Sequence, residues 1–290
     1  MFKGMMVALV TPFEDGEVDW ATLEKLVDFH LEAGTDGLVP TGTTGESPTL
    51  SHDEHDRVIE TVVKRAGGKV PVIAGTGSNS TAEALRLTRH AREVAADGAL
   101  LVNPYYNKPT QEGLYQHFAT IARAVDLPLV LYNIPGRSGV DMLPGTIARL
   151  RADCPRIVAV KHATGRTDDA SELATLSDIA IISGDDSMTL PLMSLGGVGV
   201  ISVIGNLIPK DVKLMTDAAL DGDFVTARQQ HLKLYRLSKS MLSLETNPIP
   251  IKAAMAAVGR IRNELRLPMT PLSAPNQQKL HDAMKEYGLL

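Results

Sequence analysis

The chain has 290 residues, of which 44% are hydrophobic and 22% are charged, with a net charge of -5 and one cysteine. This length and apolar content suffice for one large domain or two small ones, and the absence of a basic block argues against nucleic acid or an anionic membrane as a partner. Cys154 cannot form an intrachain disulfide, and the sequence has neither an export signal nor an apolar run of roughly 20 residues, so we expect a cytoplasmic protein.

Short β-branched runs alternate with helical segments along the first two thirds of the chain. The runs are residues 5–10, 37–39, 70–74, 99–102, 129–132, 157–161, 179–183 and 198–202. Apolar residues at helical spacing cover 21–33 and 53–65, and Ser80 with Glu83 predicts a capping box. Eight strand-helix units in succession predict an α/β fold, a (β/α)8 TIM barrel. An open doubly wound sheet is the alternative, which periodicity alone separates poorly from a barrel.

After residue 202 the pattern changes to helices only. We therefore expect a catalytic barrel over residues 1–224 and a helical C-terminal extension over 225–290. A barrel carries its chemistry in the loops after the carboxyl ends of its strands, so the residues in those loops are the candidates for function.

A glycine- and threonine-rich turn follows the second predicted strand. Its sequence, residues 41–46, is Thr-Gly-Thr-Thr-Gly-Glu. The glycines allow backbone amides to turn inward and form a nest for an anion such as a carboxylate, and Thr43 and Thr44 add hydroxyl groups that can transfer protons. An ordinary tight turn capped by threonine hydroxyls is an equally good interpretation of these residues alone.

Two other motifs near the start of the barrel are weak matches to known metal and cofactor motifs. His52 and His55 are three residues apart, which is not the spacing of the zinc-protease motif, so we do not expect a metal site there. Gly75 and Gly77 lie between a strand and a helix, but Ser80 occupies the position of the third glycine of a dinucleotide fingerprint. The sequence therefore predicts neither a metal nor a nicotinamide cofactor.

The loops after the fourth and fifth strands contain tyrosines. Tyr105 and Tyr106 lie in a loop stiffened by two prolines, where they serve either as a contact across a subunit interface or as packing over the barrel rim. Tyr132 ends the fifth strand as either a proton relay or a core aromatic. Arg137 lies in the next loop, where an arginine more often has a surface role, although its planar guanidinium suits a substrate carboxylate.

Lys161 closes the sixth run, after four apolar residues. A lysine at the end of a buried strand must either find a partner for its ammonium group or lose its proton. The deprotonated amine attacks carbonyl groups and forms Schiff bases, whereas a buried ion pair is the structural alternative.

Taken together, these motifs closely resemble the dihydrodipicolinate synthase family. This family belongs to the superfamily of pyruvate-dependent class I aldolases, which also includes the N-acetylneuraminate lyases. The resemblance extends over essentially the whole chain. The matching segments are Val7 to Phe13, Gly42 to Ser47, Val72 to Gly77, Tyr132 to Pro135, Val160 and Lys161, Ser183 to Asp186, and Asn247 to Pro250.

The resemblance implies an activity and a place in metabolism. Lys161 would form a Schiff base with pyruvate, and the resulting enamine would attack L-aspartate 4-semialdehyde, in lysine biosynthesis through diaminopimelate. No cofactor is implied, because the protonated imine itself acts as the electron sink.

The resemblance also implies roles for individual residues. Tyr132 would carry protons, linked through Thr43 to Tyr106 of a neighbouring subunit. Thr44 would hold the pyruvate carboxylate and Arg137 the carboxylate of the semialdehyde. Gly184 and Ile201 would contribute backbone groups and shape to the substrate site.

A regulatory site and an assembly are implied in the same way. Lysine-sensitive members bind L-lysine at a subunit interface, at positions that correspond to Ser47, Leu50, His52, His55, Asn79, Glu83 and Tyr105. Family members are most often homotetramers built as dimers of dimers, and we expect the same here.

Two alternatives remain at this point. One is a related Schiff-base aldolase that acts on a 2-keto sugar acid, as N-acetylneuraminate lyases do, and the other is a silent barrel that senses a keto acid. Arg137 favours the synthase, because sugar acids present hydroxyl groups there instead of a carboxylate. His162 departs from the family, which usually has glutamate after the lysine, and strand alternation predicts that its side chain packs toward the helices.

Overall fold

The structure is a computed structural model that describes residues 2–290. Eight parallel strands form its centre. They are β1 (Gly4–Ala8), β2 (Gly37–Val39), β3 (Ile73–Gly75), β4 (Gly98–Val102), β5 (Leu129–Asn133), β6 (Ile157–His162), β7 (Ala180–Ser183) and β8 (Gly199–Ser202). All eight predicted runs are therefore strands, although several bounds differ by one to three residues.

Twelve α-helices surround and follow these strands. They are α1 (Trp20–Ala33), α2 (His52–Ala66), α3 (Thr81–Glu93), α4 (Gln111–Ala124), α5 (Pro135–Ser138), α6 (Pro144–Asp153), α7 (Thr167–Leu176), α8 (Thr189–Met193), α9 (Pro209–Leu220), α10 (Phe224–Ser243), α11 (Ile249–Ala257) and α12 (Ala274–Tyr287). The loops contain three short 3-10 helices (Ser47–Thr49, Asp186–Met188 and Ile204–Asn206). They also contain a hairpin of two strands with two residues each, Phe13–Glu14 and Glu17–Val18.

The strands close into a barrel. Seven neighbouring pairs run in the order β2-β1-β8-β7-β6-β5-β4-β3, and a parallel bridge between Leu38 and Val72 joins the two end strands. The TIM barrel is thus confirmed, and the open doubly wound sheet is wrong. Closure leaves no sheet edge exposed and gathers the carboxyl ends of all eight strands at one face.

Alternation along each strand separates an inner layer from an outer one. Ala159 contributes to the apolar cluster inside the barrel, whereas Val160 contributes to the cluster between barrel and helices. Lys161 therefore continues the inner row and His162 the outer row, as strand geometry requires. In the register between β5 and β6, Tyr132 lies opposite Lys161, which brings the phenol and the amine to the same level of the barrel.

Capping residues fix where the helices begin. Ser51 and Glu54 form a reciprocal capping box at the start of α2. At α3 the predicted capping box is wrong: Ser80 does cap the helix by accepting from the Glu83 amide, but the Glu83 carboxylate bonds to the hydroxyl of Ser78. The side chain of Glu83 is thereby turned toward the loop at the barrel mouth.

The three helices of the C-terminal extension pack against the barrel. α10 lies against α9, and α11 lies against the 3-10 helix that follows β8. Buried residues of α10, α11 and α12, including Leu234, Ile251 and Leu280, belong to the same apolar cluster as residues of β1 and α1. The extension therefore shares its core with the barrel, and the division at residues 224 and 225 stays a prediction.

Candidate active site

Lys161 lies at the carboxyl end of β6 with 5% of its surface exposed. Its Nζ lies 4.3 Å from the centre of the Tyr132 ring, and no hydrogen bond joins it to any of residues 2–290. Burial lowers the pKa of Lys161 to about 7, opposed by the Asp186 carboxylate and assisted by the Arg137 cation. A substantial fraction of the amine is therefore neutral, and nucleophilic, near neutral pH.

Gly184 makes room for the lysine side chain. A Cβ at this position would lie 3.1 Å from both Cγ and Cε of Lys161, and 2.8 Å from the Cβ of Ala163. The glycine that the sequence places after β7 is thus in contact with the side chain of Lys161. Any larger residue would push the lysine stem out of its present course.

Tyr132 is buried beside the lysine. Burial raises its pKa to about 12, while Arg137 and the side chain of Thr43 act in the opposite direction. The phenol is therefore protonated at neutral pH and can donate a proton to a group that forms on Lys161. The structure places Tyr132 beside Lys161 and beside Thr43, because the ends of β2, β5 and β6 meet at the same face of the barrel.

The turn after β2 is tightly folded. The amides of Gly45 and Ser47 both donate to the carbonyl of Gly42, and the amide of Glu46 donates to the carbonyl of Thr43. Thr41 and Glu46, at its two ends, have left-handed φ angles of 53° although neither is glycine. No hydrogen bond from the amides of Thr43 and Thr44 is formed within residues 2–290, so these donors remain for a ligand.

The glycines of the next loop have a steric explanation. A Cβ on Gly75 would lie 2.3 Å from the carbonyl oxygen of Thr41, and a Cβ on Gly77 would lie 2.3 Å from the amide nitrogen of Val102. These glycines thus allow the end of β3 and the segment after it to approach the turn after β2 and the end of β4 closely. Their role in shaping the site was not visible in the sequence, where they matched only a broken cofactor motif.

Arg137 lies on α5, exposed at the rim of the site. Its Nη2 donates to the carbonyl oxygen of Asn247 at 3.0 Å. The Nδ2 of Asn247 in turn donates to the hydroxyl of Thr44 at 3.0 Å. Asn247 therefore connects the two residues expected to hold the two substrate carboxylates, a role that sequence reasoning missed.

A buried carboxylate lies behind the site and was also missed. Asp186 accepts from the Ser202 hydroxyl at 2.5 Å and from the amides of Val203 and Ile204 at 2.9 and 3.1 Å. It thereby fastens the loop after β7, which carries Gly184, to the end of β8, which carries Ile201. Burial raises the pKa of Asp186 to about 6, so the group is charged at neutral pH and favours the cationic form of Lys161.

A cleft of about 470 Å³ opens beside these residues at the barrel mouth. Thr43, Tyr132 and Arg137 line one part of it. Six of the seven residues expected at the inhibitor site line the remainder: Ser47, Leu50, His52, His55, Glu83 and Tyr105. Thr43, Tyr132 and Arg137 thus share one cleft with the regulatory candidates within a single chain, whereas Lys161, Thr44, Gly184 and Ile201 are not among the residues that line it.

The regulatory candidates are held by polar contacts around Glu83. His52 lies 3.5 Å from Glu83, and the Arg86 guanidinium lies 3.0 Å from the other ring nitrogen of His52. His55 is buried, with Nε2 2.9 Å from the carbonyl of Gly75, and burial lowers its pKa. Asn79 is not among the lining residues, and its carbonyl accepts from Asn107 at 2.9 Å.

The two adjacent tyrosines have different surroundings. Tyr105 lines the cleft, and burial raises its pKa. Tyr106 has a φ of 72° and is 90% exposed, and it is not among the residues that line the cleft. A bulky residue in the left-handed region costs free energy, and here it places a phenol in open solvent. Within one chain the structure does not bring Tyr106 to Tyr132.

His162 lies on the outer side of β6, 3% exposed, with Nε2 3.3 Å from the Thr164 hydroxyl. Burial lowers its pKa, and the neighbouring charges are those of Asp169, Arg166 and Asp141. The predicted packing toward the helices is what the structure has, because alternation turns the ring away from Lys161.

Residues 2–290 contain no group of three or more histidine, cysteine, aspartate or glutamate side chains placed to hold a metal ion. No helix in these residues is long and apolar enough to cross a membrane.

Comparison with known proteins identifies related sequences over the full chain. The family model described as the dihydrodipicolinate synthetase family matches residues 1–287. The 4-hydroxy-tetrahydrodipicolinate synthase of Pelobacter propionicus is 56% identical over 292 residues, which cover 100% of both chains.

Solved structures of the same kind superimpose closely on the chain. The dihydrodipicolinate synthase of Acinetobacter baumannii, complexed with pyruvate, has a TM-score of 0.97 and 47% identity over 100% of both chains. The enzyme from Cyanidioschyzon merolae with lysine bound has a TM-score of 0.96 and 42% identity, and the match covers 100% of this chain and 99% of that one.

Proposed function

The chain belongs to the dihydrodipicolinate synthetase family and catalyses the synthase reaction, the condensation of pyruvate with L-aspartate 4-semialdehyde in lysine biosynthesis; we propose that it does so through an imine on Lys161. The observation that carries this proposal is the buried Lys161 amine, whose pKa is lowered to about 7 beside Tyr132. A neutral amine next to a protonated phenol is the pair that imine formation requires.

The first half of the reaction forms a nucleophile from pyruvate. The amine attacks the keto carbon, and Tyr132 donates the proton with which the keto oxygen leaves as water. The protonated imine withdraws electrons from the adjacent methyl group, which loses a proton to the Tyr132 phenolate left by the first step and becomes the terminal carbon of an enamine. This carbon attacks the aldehyde of the semialdehyde and forms the new C–C bond, while the aldehyde oxygen takes the proton from Tyr132 and the protonated imine is restored.

The second half releases the product. The amino group of the bound semialdehyde attacks the imine carbon and closes a ring, and the Lys161 amine leaves with a proton. Thr43 lies beside Tyr132 and would relay protons between this phenol and bulk solvent. Tyr106 would complete the relay from a second copy of the chain, since in its own chain it is exposed and points to no catalytic group.

Two carboxylate sites would orient the substrates. The free amides of the turn and the Thr44 hydroxyl would bind the carboxylate of pyruvate, and Arg137 would bind that of the semialdehyde. Gly184 would keep space for the Lys161 stem, and Ile201 would shape the inner wall of the barrel.

The test is a coupled assay with pyruvate and the semialdehyde, combined with borohydride trapping of pyruvate on the protein. We expect full activity and a trapped lysine in the parent chain, and loss of most activity with trapping retained in Arg137→Ala. Arg166→Ala, which removes an arginine paired with Asp141 and Asp169 away from the cleft, is the matched control. Activity of Arg137→Ala equal to that of the control would remove the acceptor role.

Regulation by L-lysine is a further part of the proposal. The cleft portion around Glu83, His52 and Tyr105 offers a carboxylate to an ammonium group, and the similar enzyme from Cyanidioschyzon merolae was solved with lysine bound. We expect millimolar lysine to inhibit turnover and Glu83→Gln to relieve the inhibition. A parent enzyme that retains its full rate at that concentration would exclude the regulatory site.

Assembly and location complete the proposal. We expect a homotetramer, as the resemblance to the family implies, and Tyr106 needs at least a second copy to reach a catalytic group. The single cysteine fits the cytoplasm. Sedimentation analysis and cell fractionation test these two expectations.

A further inference from the structure

A buried ion pair connects the C-terminal extension to the turn after β2. Lys252 of α11 is 0% exposed, Glu46 is 3% exposed, and the lysine Nζ donates to Oε1 of the glutamate. The second oxygen, Oε2, accepts from the backbone amide of Arg266 at 3.1 Å. Both oxygens of this carboxylate are thus occupied by residues of the extension, more than 200 positions away in the sequence.

Glu46 is also a strained residue of the turn itself. Its φ of 53° lies in the left-handed region, which glutamate adopts only when surrounding contacts enforce it. Its amide donates to the carbonyl of Thr43 at 3.1 Å, so its backbone closes the loop that presents the free amides of Thr43 and Thr44. A change in the Glu46 side chain therefore reaches those amides through one residue of backbone.

Further contacts hold the same junction. Asn247 donates to the hydroxyl of Thr44, and the Arg266 guanidinium donates to the carbonyl of Thr49 and the carboxylate of Glu54. Both cations lie over the Phe13 ring, with Nζ of Lys252 4.2 Å and Cζ of Arg266 4.5 Å from its centre. These contacts exclude water from the pair and fix the side of the turn that faces away from the cleft.

We propose that Lys252 and Glu46 are positioning residues for pyruvate: their buried pair holds the turn in the conformation in which the amides of Thr43 and Thr44 converge on the substrate carboxylate. The inference rests on the proposed function, because it takes this turn as the pyruvate site. It adds that the extension sets the affinity for the first substrate.

A purely structural pair is the competing explanation. Breaking it would then destabilise the protein without changing the pyruvate concentration at which the folded fraction forms an imine. A positioning pair, in contrast, affects affinity even where stability is restored. Trapping at graded pyruvate concentrations separates these possibilities, because it reports imine formation on folded protein independently of the later aldol step.

The experiment measures the pyruvate concentration for half-maximal borohydride trapping in the full chain, together with kcat, KM and the melting temperature. The variants are Lys252→Met, Glu46→Gln and the double variant. A misplacement of reacting groups by about 1 Å can lower the reaction rate by on the order of 100-fold. We therefore expect each variant to require at least roughly tenfold more pyruvate for half-maximal trapping. We expect kcat to fall less than kcat/KM for pyruvate.

Leu280→Ala is the matched control for loss of stability. Leu280 is a buried core residue of α12 in the extension, so its truncation lowers the melting temperature without touching the turn. We expect this control to trap pyruvate at the parent concentration. A shift in the control as large as that in Lys252→Met would overturn the inference.

The double variant covers the case in which a single variant fails to fold. It leaves no buried charge unpaired, so we expect it to fold and still to require more pyruvate. A folded double variant that traps pyruvate at the parent concentration would overturn the inference and leave the proposed function intact. A parent chain that traps no pyruvate on Lys161 would overturn both.

Discussion

Lys161 and Lys252 are both buried lysines over aromatic rings, yet their surroundings differ in one respect. The Nζ of Lys161 lies 4.3 Å from the centre of the Tyr132 ring, and that of Lys252 lies 4.2 Å from the centre of the Phe13 ring. Lys252 donates directly to the carboxylate of Glu46. Lys161 has no carboxylate in contact among residues 2–290, and Asp186 acts on it only from a distance.

This difference separates the lysine that we propose as the nucleophile from a lysine held in a buried ion pair. Burial lowers the pKa of both amines, and a carboxylate in direct contact offsets that loss by stabilising the cation. Without such contact, Lys161 can become neutral and attack a carbonyl group. The direct partner, more than the depth of burial, therefore decides the chemistry of each lysine.

Replacing each lysine by methionine tests this comparison, with the largest effect expected at Lys161. Lys161→Met removes the nucleophile, so we expect turnover to fall by on the order of 10³-fold or more and trapping of pyruvate to disappear. Lys252→Met should still form the trapped imine at high pyruvate. Trapping that survives in Lys161→Met would assign the nucleophile to another residue.

The same two variants should rank in the opposite order in stability. Lys252→Met leaves the Glu46 carboxylate buried and unpaired, and we expect the free energy of unfolding to fall by about 3–5 kcal/mol. Lys161→Met leaves no carboxylate unpaired in direct contact, and we expect its stability to equal or exceed that of the parent. Urea unfolding of both variants measures the difference, and equal losses would contradict the comparison.

Gly184→Ala sharpens the role of space around Lys161. The new Cβ would lie 3.1 Å from the lysine stem, so the amine must move, and we expect kcat/KM to fall by roughly 10- to 100-fold. Gly145→Ala on α6 is the control, because its Cβ would meet no atom within 4 Å. Similar activity in both alanine variants would show that the contact does not matter.

The pH dependence tests the influence of Asp186. A lysine is neutral above its pKa, so kcat/KM for pyruvate should rise about tenfold per pH unit below about 7 and level off above it. Asp186 favours the cation, while Arg137 opposes it, and Tyr132 stays protonated over this range. Asp186→Asn should therefore shift the rising part of this pH profile to lower pH.

Asp178→Asn is the control for this shift. Asp178 is exposed and paired with Arg151, so its loss should leave the profile in place. If kcat/KM of Asp186→Asn rises over the same pH range as that of the parent, the Asp186 carboxylate acts only through its hydrogen bonds.

The smallest effect is expected at His162, the neighbour of Lys161 on the opposite face of β6. Burial lowers its pKa, so the ring is neutral at neutral pH and contributes no charge to the site. We expect His162→Gln to cost about 1 kcal/mol of unfolding free energy and to leave the pH profile unchanged. A shifted profile would show that this departure from the family does influence the lysine.

Much of the fold follows from local pattern. The eight apolar runs predicted the strands to within a few residues, because burial on both faces selects continuous β-branched segments. The predicted strand bounds differ from the observed ones where strand pairing continues beyond the apolar run, as at His162. The predicted capping box at α3 does not form because the Glu83 carboxylate accepts from the hydroxyl of Ser78, two residues before Ser80.

The site was predictable only in part. Lys161, Tyr132 and the turn with Thr43 lie at strand ends, and a barrel gathers such ends at one face. The roles of Asn247 and Asp186 gave no comparable local signal. Each acts through contacts with residues that are distant in sequence, and neither ends a strand.

The sequence by itself determined the eight strand-helix units and the inward direction of Lys161, because these depend on the two-residue period of a strand. Tertiary structure alone decided that Lys252 meets Glu46, that Asn247 meets Thr44, and that Lys161 meets no carboxylate directly. Residues some 200 positions apart come together only when the extension packs on the closed barrel. The state of each buried lysine depends on that packing, since a pKa is set by what surrounds the group in space.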